Sequence, residues 1–194
     1  MIRAGTMLAA LALCAAGAAR GEAAAPGGVP LPLALGGAFT LTDQTGRPRS
    51  EADPQGRMQL VYFGYADCQS ICTLALPQMA EIADRLAGQG VALVPVLITV
   101  DPARDTVATL GPALARLGPG WVGLTGTPAD LARVRDLFGV RSEVLFEDPF
   151  SGPVHAHGSY LYLMDGAGRL LTILPPILTA ERAAAIIAAH AGGA

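Results

Sequence analysis

Val61-Tyr62-Phe63-Gly64-Tyr65-Ala66-Asp67-Cys68-Gln69-Ser70-Ile71-Cys72 is the stretch whose reading decides the fold. Its first residues continue an apolar run from Met58 that reads as a buried strand, and Gly64 to Asp67 reads as the loop by which the chain leaves it. Downstream of Cys72, the residues Leu76, Met79, Ile82, Ala83 and Leu86 recur at helical spacing. A pair of thiols in a C-x-x-x-C spacing therefore stands where a strand gives way to a helix, and that position calls for a chemical explanation.

Outward from there, strands and helices alternate. Ala38 to Thr42 and the return through Arg47 to Ser50 predict an N-terminal hairpin with a turn at Asp43 to Gly46. Val91 to Val100 is the most strand-like run of the chain and suits a central strand buried on both faces. Asp105 or Thr106 is positioned to cap a helix through about Leu117, with Gly111-Pro112 expected to distort it. Trp121 to Thr125 is a short strand. Thr127 then caps a helix that has Pro128 at its first position and ends near Phe138-Gly139. Val140 to Phe146 predicts a strand, and Glu147 to Gly158 a loop. Ser159 to Met164 and Arg169 to Leu174 form a hairpin across Asp165-Gly166-Ala167-Gly168, and a last helix runs from Ala180 to about Ala191. This order predicts an α/β sandwich with a mixed central sheet flanked by helices. The thiol pair at the first strand-to-helix junction makes its thioredoxin-like version the leading choice. Sites in such sheets sit on loops at the carboxyl ends of strands.

A chain of 194 residues suits one domain with a real core. Its net charge of -3, with the 13 basic residues, all of them arginine, scattered along the chain, leaves no basic face for nucleic acid and no polybasic membrane patch. Residues 1–25 read as a signal peptide or N-terminal anchor: Arg3 is followed by the apolar run Met7 to Ala19, short of the about 20 residues that span a bilayer. Residues 26–37 read as a linker and 38–194 as the folded domain. Membrane association is expected only through that N-terminal segment. Removing it also removes Cys14, so Cys68 and Cys72 remain as the thiols of an exported chain. That is no multi-bridge disulfide framework.

Residues four apart share one face of a helical turn, so the sulfurs of Cys68 and Cys72 can converge on a soft metal ion or close a disulfide. A helix N-terminus also stabilises thiolate. Two thiolates leave most metal sites incomplete. Of the three histidines, His190 lies in the alanine-rich tail, while His155 and His157 stand together just before a strand whose entry faces the first strand-to-helix junction. A cysteine, cysteine, histidine set is soft enough for Cu(I), and its imidazole also admits Cu(II). Structural zinc would need both histidines. Copper is favoured. Asp67 can cap the helix or sit near the metal, and Asp101 to Thr106 reads first as turn and capping chemistry.

Four segments together resemble the Sco/SenC family of thioredoxin-like copper chaperones that serve assembly of cytochrome c oxidase. They are Val61 to Cys72, Ile98-Thr99-Val100-Asp101-Pro102-Ala103-Arg104-Asp105-Thr106, Gly123-Leu124-Thr125-Gly126-Thr127, and His157-Gly158-Ser159-Tyr160-Leu161-Tyr162-Leu163-Met164-Asp165. The resemblance implies that Cys68 and Cys72 are copper-binding thiols, and that His157, selected over His155 by its spacing to Tyr162 through Asp165, is the third ligand. Asp67, Asp101 and His155 are then candidates for supporting groups beside the metal. The resemblance further implies a metallochaperone and not an enzyme. Its expected setting is the bacterial periplasm, and its expected partner a copper acceptor such as oxidase subunit II, with a thiol reductant or an upstream copper donor besides. The sequence departs from the family pattern at Gln69 and Thr73, where prolines usually follow the cysteines, and at Ala156, where an aspartate usually precedes the histidine. The alternative is an exported thiol-disulfide oxidoreductase cycling Cys68 and Cys72. A peroxidase is disfavoured, because Tyr65 and not threonine stands three residues before Cys68.

Overall fold

The computed structural model describes residues 35–66, 72–150 and 152–192, and of Cys72 and Thr73 the backbone alone. The expected leader, most of the linker, Asp67 and Cys68 lie outside the described residues.

The elements in chain order are β1 (Thr40–Asp43), β2 (Pro48–Ser50), β3 (Met58–Gly64), α1 (Cys72–Ala87), β4 (Leu93–Thr99), α2 (Val107–Ala115), β5 (Val122–Thr125), α3 (Pro128–Leu137), β6 (Ser142–Asp148), β7 (Gly152–His157), β8 (Leu161–Met164), β9 (Leu170–Leu174) and α4 (Ala180–Gly192). Seven strands form one sheet in the order β2-β1-β5-β4-β3-β8-β9. The β5-β4-β3 centre is parallel, and both flanks are antiparallel. β4 lies mid-sheet, and Val94, Val96, Leu97 and Ile98 are almost wholly excluded from water, as a strand covered on both faces requires. The N-terminal hairpin adds to the sheet edge by pairing β1 with β5. Gly111-Pro112 does not interrupt α2, which runs through both residues.

Side-chain alternation along β3 sends Tyr62 and Phe63 to opposite faces. Tyr62 lies beside Leu74 and Ala75 of α1, and α1 packs on α4. Phe63 meets Phe138, just past α3, with ring centroids 5.3 Å apart, and Tyr162 at 5.7 Å. The sheet is thus sandwiched between α1 with α4 and the end of α3, a thioredoxin-like arrangement.

One expectation needs correcting. Residues 152–157 are not loop: they form β7, which pairs antiparallel with β6 as a separate two-stranded sheet. The segment's weak strand pattern misleads, because β6 exposes Val144, Leu145 and Phe146 and all of β7 is only half-buried. Cross-strand pairing, a non-local interaction, decides it: Ser142 opposes His157 and Val144 opposes His155. Both histidines therefore point to one face of the hairpin.

Candidate metal centre

The β3 strand aims its exit at this hairpin. Gly64 is needed for close approach: a Cβ there would sit 2.6 Å from the ring of Tyr62, which lies across it. The edge of that ring meets His157, with centroids 5.7 Å apart and planes at 79°. Tyr65, the next residue out of β3, contacts both histidines, at 5.5 Å to His155 and 6.0 Å to His157. The imidazole of His157 is thereby held half-buried against two aromatic rings, directly beside the loop that leads to Cys68. Cys72 opens α1 at the far end of that loop.

Burial pushes the pKa of His157 below the usual histidine value, and the neighbouring His155 adds to this, while the carbonyls of Gly158 and Phe63 act the other way. The net result favours the neutral ring, the form that binds metals. Its Nδ1 lies 3.0 Å from the Gly158 carbonyl. A neutral imidazole carries a single N–H, so it can serve only one of the two carbonyls as donor. Its other nitrogen offers a lone pair, and that is where a metal ligand's donor electrons must come from. On its outer side His157 lines an open groove of about 1050 Å³ with Arg135, Arg141, Glu143 and Tyr160. Among the described residues, no group of three or more His, Cys, Asp or Glu is placed to hold a metal.

His155 has a different neighbourhood. Its Nε2 lies 3.4 Å from Asp101 Oδ2, too poorly aligned for a hydrogen bond. Asp101 is 3% exposed and is paired with Arg104 Nε. The neighbouring Asp105, also buried, accepts from the Thr99 hydroxyl (2.7 Å) and from the Ala66 backbone N–H (3.0 Å). Thr106 stands at the N-cap of α2, so capping describes part of this segment. The burial of Asp101 and Asp105 does not follow from capping: both carboxylates are turned inward, toward the loop before Cys68 and the hairpin. Two contributors were missed from sequence, Tyr65 and Arg104. The only available signal was the crowding of charge in Asp101-Pro102-Ala103-Arg104-Asp105 right after a strand that is buried on both faces.

With the fold and the histidine pocket defined, comparison with known proteins becomes informative. The SCO1/SenC family model matches residues 29–192. This chain belongs to the SCO1/SenC family. A SCO2-like protein of Rickettsia felis is 36% identical over 138 residues, which is 71% of this chain and 67% of the relative. Among solved structures, copper-bound ScoI of Bradyrhizobium japonicum superposes with a TM-score of 0.68 at 31% identity, covering 78% of this chain and 96% of its own. Copper-bound ScoI of Arabidopsis thaliana superposes at 0.73 with 27% identity, covering 80% and 99%. Several SCO1/SenC relatives span well beyond the matched region; Protein SenC of Rhodobacter capsulatus has 59% of its length covered.

Proposed function

We propose that this chain is a copper-binding metallochaperone in which Cys68, Cys72 and His157 hold the ion. The observation that carries the reading is the placement of His157: a half-buried imidazole that favours its neutral form, packed on Tyr62 and Tyr65 where β3 leads toward the thiol loop. The donor set fits copper, since two thiolates suit Cu(I) and the imidazole accommodates either oxidation state. Copper bound in the two ScoI relatives supports the same choice. Copper is cargo here.

The acceptor we assign is a copper site such as that of cytochrome c oxidase subunit II, to which the protein delivers the ion or whose thiols it prepares. A thiol reductant or an upstream copper donor would complete the cycle. Residues 1–25 act as an export signal or anchor, 26–37 as a linker and 38–194 as the working domain, in the bacterial periplasm. Among the described residues no helix is long and apolar enough to cross a membrane. Asp101 and His155 support the site from behind, and Asp67, one residue before Cys68 in sequence, is assigned as a further supporting group.

A second reading, thiol-disulfide exchange by Cys68 and Cys72, is favoured by the position of Cys72 at the start of α1, where the helix N-terminus lowers a thiol's pKa. Both readings share one linkage: a disulfide between the two cysteines removes two of the three ligands, so redox state gates loading.

Competition titration of the reduced protein with Cu(I) separates the readings. About one ion per chain is expected, with binding abolished in Cys68→Ala and Cys72→Ala and weakened about 10- to 100-fold in His157→Ala. Wild-type affinity in the His157→Ala protein discards the three-ligand site. Disulfide reduction by the metal-free protein without any Cu(I) affinity gives the second reading.

A further inference from the structure

We propose that Arg104 is a positioning residue for this site, a clamp that sets how far the histidine-bearing hairpin stands from the loop that leads to the thiols. The proposal rests on the reading of Cys68, Cys72 and His157 as a metal centre.

The guanidinium engages three separate segments at once. Its carbon lies 4.9 Å from the centroid of the Tyr65 ring, three residues before Cys68. Its Nη2 donates to the Pro153 carbonyl at 2.6 Å, within β7 and four residues before His157. Its Nε donates to Asp101, the buried carboxylate at the carboxyl end of β4. The hairpin is shaped to admit it. Gly152 has φ +74, and a Cβ there would stand 3.4 Å from Arg104 Nη1. Tyr65 in turn has tilted and edge-on ring contacts with both histidines, so guanidinium, phenol ring and imidazoles form a continuous chain of contacts. The adjacent Asp105 fixes the same loop from the backbone side through Ala66.

Only arginine meets these demands together. Its planar fork donates in two directions while its face stacks on an aromatic ring. A lysine there keeps the charge opposite Asp101 but has no flat face and no second fixed donor. Because β7, which carries His157, and β3, which leads into the thiol loop, belong to different sheets, no backbone ladder among the described residues fixes their separation. A side-chain clamp supplies that constraint.

The test uses the full chain in Arg104→Gln and Arg104→Lys forms, since the side chain is 29% exposed and either variant can stand in if the other does not fold. In metal-free protein, amide hydrogen exchange is expected to speed up together at 65–66 and 154–157, with β3 and β4 unchanged. In a double-mutant cycle with His157→Ala, Arg104→Gln is expected to weaken Cu(I) binding about 10- to 100-fold when His157 is present. With His157 removed, it should change the affinity by no more than about twofold. Unchanged exchange at both segments overturns the clamp, as does an equal loss of affinity in the two backgrounds. A wild-type protein with no Cu(I) affinity overturns the metal-centre reading instead, and the exchange data still decide whether Arg104 joins the two segments.

Discussion

Asp105→Ala tests how the loop before Cys68 is anchored. A single carboxylate oxygen, Oδ2, accepts both the Thr99 hydroxyl at 2.7 Å and the Ala66 N–H at 3.0 Å. Thr99 is wholly excluded from water and Asp105 is 4% exposed, so the hydroxyl loses a partner that solvent cannot replace. Leaving a buried donor unsatisfied costs about 1–3 kcal/mol. The Ala66 N–H, only part-buried, can recruit water and falls at the low end of that range. Together the substitution should cost about 2–4 kcal/mol, a large share of the roughly 5–15 kcal/mol that holds a domain folded. In urea this shifts the midpoint downward by about 1–2 M, taking a slope of about 2 kcal/mol per molar. Asp105→Asn is the informative companion. Its amide oxygen can occupy the place of Oδ2 and keep both donors, so it should cost less than half as much. Equilibrium urea unfolding of the two variants, followed by far-UV circular dichroism, decides the matter. An alanine variant within 1 kcal/mol of wild type, or an asparagine variant as costly as the alanine one, refutes the reasoning.

The remaining expectations follow from two other buried polar groups. Burial alone would raise the pKa of Asp53, but hydrogen bonds and charge from Arg57, with the Gln55 N–H, hold it down from the ordinary 3.8 to about 2. Its side chain is fully covered and also paired with Arg49 at 2.7 Å. The ionised form is thus favoured by folding, which contributes about 2 kcal/mol above the unfolded pKa of about 3.9. That stability is lost as pH falls from there through 2, so the stability gap between wild type and Asp53→Asn should narrow over that window in acid-to-neutral unfolding curves. A gap independent of pH would count against it. The Tyr62 hydroxyl is buried without a hydrogen-bond partner among the described residues, and burial, with Tyr65 adding, raises its pKa. Tyr62→Phe removes a desolvated polar group while keeping the ring against His157. It should leave stability unchanged or raise it by up to about 1–2 kcal/mol, and a thermal melt showing clear destabilisation would reveal a partner for that hydroxyl.

The central architecture was legible because it is written locally. Strand β3 and the mid-sheet β4 are predominantly apolar runs, and Thr127 with Pro128 marks the start of α3, where the Thr127 hydroxyl accepts the Asp130 N–H at 3.1 Å. The hairpin was half legible. Strand β7 carries Pro153, Ala156 and two histidines, a composition that reads as loop, and only its pairing with β6 makes it a strand. Chemistry pointed to the pair His155 and His157, the resemblance to the family selected His157, and the structure brings that ring to Tyr62 and Tyr65. Arg104 was not found, because its role depends on reaching Tyr65 and Pro153, which stand 39 and 49 positions away in the chain, and no periodicity encodes such a meeting. Asp101 looked like turn chemistry for the same reason: its burial is a tertiary fact.

The hairpin's independence from the seven-stranded sheet has a kinetic consequence. Strands β6 and β7 bond to each other and to no strand of the main sheet among the described residues, so displacing the hairpin breaks the Arg104 contact to Pro153 and no central ladder. Opening a local unit of this kind costs far less than global unfolding. On the proposed reading of His157 as a copper ligand, the residence time of the ion would be set by how the hairpin is held and not by the melting temperature of the core. Core stabilisation and cargo turnover would then be separately tunable, and a hardier variant of this protein need not be a slower one.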